Sequence, residues 1–456
     1  MRGWLTGTLL LSLFVCCFSA MIGCEPAKNS VVQAPPPPSK RLTVVTPHNE
    51  KIRRTFQHNF SKWYASKHGT SVDFQWIDRG TPECLEYITD VSESPRRDDP
   101  RPMPDVLFGG GVSDHIQLAE SDLSLSIDIQ ASLENIPAEI DGVPTRDAQG
   151  RWHATSLSSF GILYNARACE QRGIAPPAAW DDLTDPRFYG WIAMADPAVS
   201  GSTRECLLLI LQQAGWDRGW STIIEILANT RALVDRSSVA LHEVETGVAL
   251  ATVAVNYDGM DLASASGGRL VYLNPRDQTG VNANAVSVLK TSANPELATE
   301  FVRYCVSEEG QKLWGLDADK RGGMGDTLFH YPISPAIYES YAEQLALAEN
   351  PLREPFGVRI DPALHASDAV MLLPSIQAAC GRDHVLLQQV WADVIAAKMP
   401  ENAVTELGKP LFDQQTLSEK CADFQAAEAG EAEKMMTEWQ DLFRAKYDHI
   451  RALARI

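Results

Sequence analysis

Residues 42–76 read LTVVTPHNEKIRRTFQHNFSKWYASKHGTSVDFQW. Leu42 to Thr46 is a short apolar run ending at a turn on Pro47, which predicts a buried strand. Ile52, Phe56, Phe60 and Tyr64 then recur every four residues and stack on one face of a helix. Val72, Phe74 and Trp76 alternate, the period of a strand with one face covered. Strand, helix, strand in that order is the unit of a mostly parallel sheet with helices on both faces. Such sheets place ligands outside the carboxyl ends of their strands. Here those ends carry His48, Gly80-Thr81 and Gly109-Gly110-Gly111.

The pattern continues outward. A helix is predicted over Glu83 to Val91, then a charged, proline-containing loop (Ser94 to Pro104) and a strand at Asp105 to Phe108. A second α/β unit starts near Arg151, with strands at Phe160 to Tyr164 and Trp191 to Ala195. Helices follow from Cys206 to Ala214 and Trp216 to Asn229. Leu250 to Val255 is a short strand ending at Asn256-Tyr257-Asp258-Gly259, and Asn284 to Leu289 returns the chain to the first unit. Asn294-Pro295-Glu296 opens the next helix with a cap, a first-turn proline and a first-turn acid. From about residue 345 the chain is helical and charged. Its last helix sets Met436, Trp439, Phe443, Tyr447 and Ile450 on one stripe, which predicts a helix packed on the body.

At the N-terminus, Arg2 precedes an apolar run from Leu9 to Phe18, and Ala20-Met21-Ile22-Gly23-Cys24 reads as a lipobox. The apolar run is shorter than the roughly 20 residues of a membrane span, so residues 1–23 are expected to be a signal peptide. Cys24 is then the lipidated residue; an ordinary secretory signal cut elsewhere is the other reading, and both export the chain. Residues 24–40, with four consecutive prolines from Pro35, form an extended tether that builds no core. Six cysteines remain in the body: Cys84, Cys169, Cys206, Cys305, Cys380 and Cys421. No CxxC and no histidine at zinc spacing accompanies them, leaving disulfides or buried small apolar residues as the readings.

Lys plus Arg number 40 and Asp plus Glu 59, a formal net charge of -19. So acidic a chain is repelled by nucleic-acid phosphates and by anionic lipid, while a local basic pocket for an anion stays open. No GxSxG, HExxH, P-loop or dinucleotide GxGxxG stands in a strand-to-helix context, so nothing marks an enzyme.

Two junctions carry binding chemistry. Ser200-Gly201-Ser202-Thr203 lies between a strand and a helix, where free backbone N–H groups and the helix dipole favour an anion. An ordinary N-cap uses the same residues. Gly80-Thr81 repeats the case more weakly. Tyr257 with Asp258 follows a strand: a phenolate and a carboxylate suit a hard cation such as ferric iron, a neutral tyrosine suits an organic ligand, and a core tyrosine suits neither. His48 sits at a strand-to-helix turn.

In order and spacing, LTVVTPHNEKIRRTF, PDVLFGGG, DPAVSGSTREC, SSVALHEVETG and VNYDGM resemble the ferric-iron-type extracellular solute-binding proteins of ABC transporters, with their phosphonate- and sugar-phosphate-binding relatives. The resemblance runs from about Arg41 to Glu339. It implies an α/β, two-lobed type II periplasmic-binding-protein fold, here with a helical C-terminal extension. Lobe 1 is expected over 41–152 and 283–344, lobe 2 over 153–282, and the extension over 345–456. Ser200, Gly201 and Ser202 match the anion-holding helix start, with Ser237 or Ser238 as a second contact. Thr81 and Gly110 face them from lobe 1. Tyr257 matches the first of two iron-binding tyrosines, Asp258 replaces the second, and His48 falls within one position of a histidine ligand. The expected glutamate ligand falls in the Gly109 to Gly111 run, so the metal set is incomplete and the anion set better kept.

The implied protein is a non-enzymatic, lipid-anchored binding protein, exported and facing the periplasm or cell exterior. It would be a monomer that delivers ferric iron with a bound anion, or an organic anion such as a phosphonate or sugar phosphate, to an ABC permease. A secreted enzyme on a related scaffold and a ligand-sensing subunit of a surface receptor are the alternatives.

Overall fold

The computed structural model describes residues 39–93, 101–322, 325–381 and 384–455. The predicted signal peptide, Cys24 and the proline run lie outside the described residues.

The chain opens with β1 (Ser39–Thr46), α1 (Glu50–His68), β2 (Ser71–Asp78), α2 (Thr81–Glu93), β3 (Val106–Phe108) and α3 (Val112–Glu120). A small hairpin, β4 (Glu139–Ile140) and β5 (Val143–Pro144), precedes β6 (His153–Asn165) and α4 (Ala166–Arg172). Next come β7 (Ile192–Ala195), α5 (Gly201–Ala214), α6 (Trp216–Asn229), β8 (Thr230–Val234), α7 (Ser237–Thr246), β9 (Ala251–Val255), α8 (Asn256–Ala265) and β10 (Leu270–Leu273). β11 (Val281–Val288), α9 (Pro295–Val306), α10 (Glu308–Gly315) and α11 (Pro335–Ser340) follow. The C-terminal region is helical: α12 (Pro362–Cys380), α13 (His384–Ala396), α14 (Glu401–Gly408), α15 (Gln414–Ala426) and α16 (Ala429–Ala454).

The strands join one sheet in the order β2-β1-β3-β11-β6-β9-β7-β8, with β10 also on β6. β1 runs parallel to β2 and β3, and β7 parallel to β8 and β9, as βαβ crossovers require. β6 is the shared strand. Its first part pairs with β11 and its last part, from Phe160, with β9 and β10, so one strand carries both halves of the sheet. Two large apolar cores flank it. Phe56, Phe60, Phe108, Phe301 and Trp314 fill the first, while Ile162, Trp180, Ile192 and the Leu207 to Leu211 run fill the second.

The predicted stripe of α1 is buried at all four positions. Asn49 caps the helix by accepting from the Ile52 N–H at 3.2 Å, and Gly69 ends it at φ 65°. The predicted stripe of α16 is also buried, at Met436, Trp439, Phe443, Tyr447 and Ile450. Together with Trp391 of α13, those side chains join the second core. Burying each such aromatic contributes roughly 1.5–3 kcal/mol, so the C-terminal helices are integral to that half.

Several elements differ from the sequence reading. β6 spans 13 residues, all buried, instead of Phe160 to Tyr164 alone. Polar Ser156, Ser158 and Ser159 hide it from a hydrophobicity pattern; Asn284 donates to the Ser158 hydroxyl at 2.7 Å. α3, β8 and β10 add to the predicted set, and β1 begins two residues inside the expected tether. Asn256 to Gly259, read as the end of a strand, form the first turn of α8 directly after β9. The expected lobe boundaries fall at the first residue of β6 and inside β11. All six body cysteines are buried and free. No helix of the described residues is long and apolar enough to cross a membrane.

Candidate functional site

A cavity of about 360 Å³ opens at the carboxyl ends of the strands, and the first residues of α1, α2, α3, α5, α7 and α8 line it. Each helix start brings unpaired N–H groups and the positive end of its dipole. Of the residues singled out from the sequence, His48, Thr81, Gly110, Ser200, Gly201, Ser202, Ser237, Ser238, Tyr257 and Asp258 lie on this lining, while Gly109 and Thr203 do not.

The helices of the first half form one wall, and α5, α7 and α8 form the other. The walls touch. A Cβ on Gly201 would stand 3.1 Å from Thr81 Oγ1, close enough that the Thr81 side chain would have to shift by a few tenths of an ångström. Asn49 donates to Asp258 Oδ1 at 3.0 Å, Lys51 pairs with Asp261, and Arg204 of α5 reaches Asp114 of α3 at 3.5 Å. Gly109 and Gly110 both have positive φ, at 96° and 92°. At Gly109 the His48 ring lies 2.6 Å from where a Cβ would be.

On the second wall, Ser200 caps α5 by accepting from the Thr203 N–H at 3.2 Å. Its hydroxyl lies 2.7 Å from that of Ser237, which is 3.1 Å from that of Ser202. Three rotatable hydroxyls therefore meet where α5 and α7 begin. The Gly201 and Ser202 N–H groups have no partner within the helix. α7 has no side-chain cap, which leaves its first N–H groups in the same condition. Arg204 and Arg236 stand beside this cluster.

The same wall holds Tyr257 and Asp258, in the first turn of α8. Tyr257 stacks on His330, ring centroids 4.3 Å apart, and burial raises its phenol above the ordinary range. Burial also lifts the Asp258 carboxyl to about 6, against the Asn49 hydrogen bond. His48 is enclosed by Phe108, Trp314 and Gly109, with both ring nitrogens buried and without a hydrogen-bond partner among the described residues. Burial holds it well below its usual pKa, so it is a neutral imidazole packed beneath the first wall. No three His, Cys, Asp or Glu side chains among the described residues gather around a common point.

Sequence reasoning passed over the charged lining. Arg53 pairs with Asp78 at 2.8 Å; Arg79 and Arg236 are exposed without an ion-pair partner among the described residues. Arg79 directly precedes Gly80-Thr81, Arg236 directly precedes Ser237-Ser238, and Arg204 lies inside DPAVSGSTREC, so proximity to a flagged junction was the available signal. Most carboxylates of the lining are engaged. Glu83 accepts from the Gly80 N–H, Asp114 from the Gly111 N–H, and Glu205 from Asn282. Glu50, Asp235 and Asp258 leave acceptor capacity toward the cavity.

Residues 102–317 match the family model described as bacterial extracellular solute-binding protein. The chain is 27% identical over 225 residues to the phosphoglycerate transport regulatory protein PgtC of Salmonella typhimurium, covering 49% of this chain and 54% of that one. It is 26% identical over 239 residues to the major ferric iron-binding protein of Neisseria meningitidis serogroup B, covering 48% and 65%. The match thus spans about half to just under two thirds of these relatives. Among solved structures it is similar to the periplasmic binding protein AfuA of Actinobacillus pleuropneumoniae with fructose-6-phosphate bound: TM-score 0.58, 19% identity, 78% of this chain and 98% of that one. The fold is that of the type II periplasmic binding proteins, with a helical C-terminal region.

Proposed function

We propose that the protein is an exported solute-binding component of an ABC importer, and that its ligand is a phosphate-bearing polyhydroxy anion. The observation that carries this reading is the meeting of the starts of α5 and α7, the latter without a side-chain cap, with three serine hydroxyls and two arginines on the cavity lining. Preorganised N–H groups and arginines suit a phosphate dianion. Elsewhere on the lining, Tyr257 and Asp258 supply acceptors for hydroxyl groups. Such acceptors together with the serine cluster fit a ligand whose charge sits at one pole. Contacts from both walls favour the closed arrangement, which a permease would then recognise. Binding rather than turnover is the role, Cys24 carries the lipid, and the tether holds a monomeric body near its membrane partner.

Ferric iron held with an anion is the second reading. It rests on the Tyr257 hydroxyl, which has no hydrogen-bond partner among the described residues, beside Asp258. The buried nitrogens of His48 weigh against it. The word "regulatory" in the name of the Salmonella relative keeps ligand sensing, in place of delivery, as the alternative use of the same cleft.

Calorimetric titration with phosphoglycerate, fructose 6-phosphate and ferric iron, the last with and without phosphate, separates the readings. The proposal expects a phosphate ester to bind without metal. A visible tyrosinate-to-iron band that disappears in Tyr257→Phe, with no binding of either ester, would replace it by the iron reading.

A further inference from the structure

The C-terminal region touches a residue of the cavity lining through His365. His365, on the first turn of α12, places Nε2 3.0 Å from Glu205 Oε2. Glu205 is the fifth residue of α5, lines the cavity beside Arg204, and is only 7% exposed. The same carboxylate oxygen accepts from Asn282 Nδ2 at 3.1 Å. Burial alone would push this carboxyl up, but His365, Arg204 and Asn282 together hold it below its ordinary range. His365 is correspondingly raised, with Glu205 outweighing its own burial.

The approach of α12 is fixed from several sides. The Val358 N–H donates to Thr279 O at 2.9 Å, on the connection between β10 and β11. Arg359 pairs with Glu139 at 2.6 Å. The Asp361 N–H donates to Gln212 Oε1 of α5 at 3.0 Å, and the His365 N–H to Asp361 O at 2.8 Å. Residues 358–365 therefore link the first half, the connection and α5, and deliver the imidazole to a carboxylate it meets nowhere else in the sequence order.

A buried carboxylate about one turn below the helix start that would receive an anion opposes that anion unless it is compensated. We infer that His365 is a positioning residue of the ligand site: as the counter-charge to Glu205, it keeps the carboxylate from repelling a phosphate held at the start of α5. This rests on the phosphate reading given above. The C-terminal helices are then part of the binding device, in addition to being part of the second core.

The test is calorimetry of fructose 6-phosphate and phosphoglycerate binding to the full chain, to His365→Gln, and to the double variant His365→Gln/Glu205→Gln, each checked for a cooperative melt. The expected result is a loss of about tenfold or more in His365→Gln, recovered to within about threefold of the parent in the double variant. Removing the carboxylate's charge rescues a lost counter-charge but does not rescue lost packing. If His365→Gln fails to fold, recovery of folding and binding in the double variant supports the inference. Unchanged affinity in His365→Gln, or equal weakness in both variants, overturns the inference and leaves the phosphate reading standing. A parent chain that binds neither ester overturns that reading, and the inference with it.

Discussion

On the first wall of the cavity, α1, α2 and α3 present backbone, glycines and side chains mostly already in use, with Glu50 and Arg79 the exceptions. Asn49 is spent on Asp258, Thr81 rests on Gly201, and His48 lies neutral beneath Gly109. On the second wall, α5, α7 and α8 present hydroxyls that can rotate, uncapped helix starts, and a tyrosine hydroxyl without a hydrogen-bond partner among the described residues. The difference assigns the walls different work. The first closes by fit, where even a single added Cβ would press on Thr81, and the second recognises by hydrogen bonds and charge. A ligand that shifts the balance toward closure must then take its polar contacts mainly from the second wall.

Three variants sharpen or break that division. Arg204→Met has the largest expected effect, because it removes one of the second wall's two arginines and leaves buried Asp114 without its charge partner. Breaking a buried pair from one side costs about 3 kcal/mol or more, read as a lower midpoint in urea unfolding, and the affinity for phosphate esters should fall with it. Unchanged stability would mean that Asp114 depends only on the Gly111 N–H.

Gly201→Ala comes next. Its Cβ would meet Thr81 Oγ1 at 3.1 Å and hold the walls apart, costing about 1 kcal/mol of the closed form and weakening affinity severalfold. Adding Thr81→Gly should restore it; if the double variant binds no better, fit between the walls is not what glycine provides.

The smallest effect concerns Asp258. Its folded pKa of about 6 lies above the ordinary carboxylate value near 4, so its contribution to native stability falls as pH rises from about 4 to about 6 and stays constant above that. Loss of its charge also removes a repulsion inside the cavity. Phosphate-ester affinity should therefore rise modestly as pH falls from 7 to 5.5, and Asp258→Asn should flatten the change. Ferric iron would show the opposite slope, since its oxygen ligands must be ionised.

Much of this was legible where one residue reports on one face. The four-residue stripe in α1, the Asn294-Pro295-Glu296 start of α9 and the stripe of α16 are local signals, and each element formed where predicted. β6 was half hidden because its serines are buried and satisfied by hydrogen bonds that no periodicity reveals. β8 was missed because it lies at the sheet edge with a mostly half-exposed, short sequence, and α3 because buried Asp114 and His115 interrupt its apolar face. The hydroxyl cluster was half legible: Ser200 and Ser202 stood out at their junction, while Ser237 reached it only through family resemblance. The link between Glu205 and His365 was not legible, since 160 positions separate two ordinary-looking residues.

The most direct test of the account is a crystal structure of the protein grown with fructose 6-phosphate or phosphoglycerate. The account predicts phosphate oxygens about 3 Å from the Ser200, Ser202 and Ser237 hydroxyls and the first N–H groups of α5, with the ligand's hydroxyls turned toward Tyr257 and Asp258. A phosphate lodged elsewhere, or a metal ion on Tyr257 and Asp258 with the serine cluster unengaged, would contradict it.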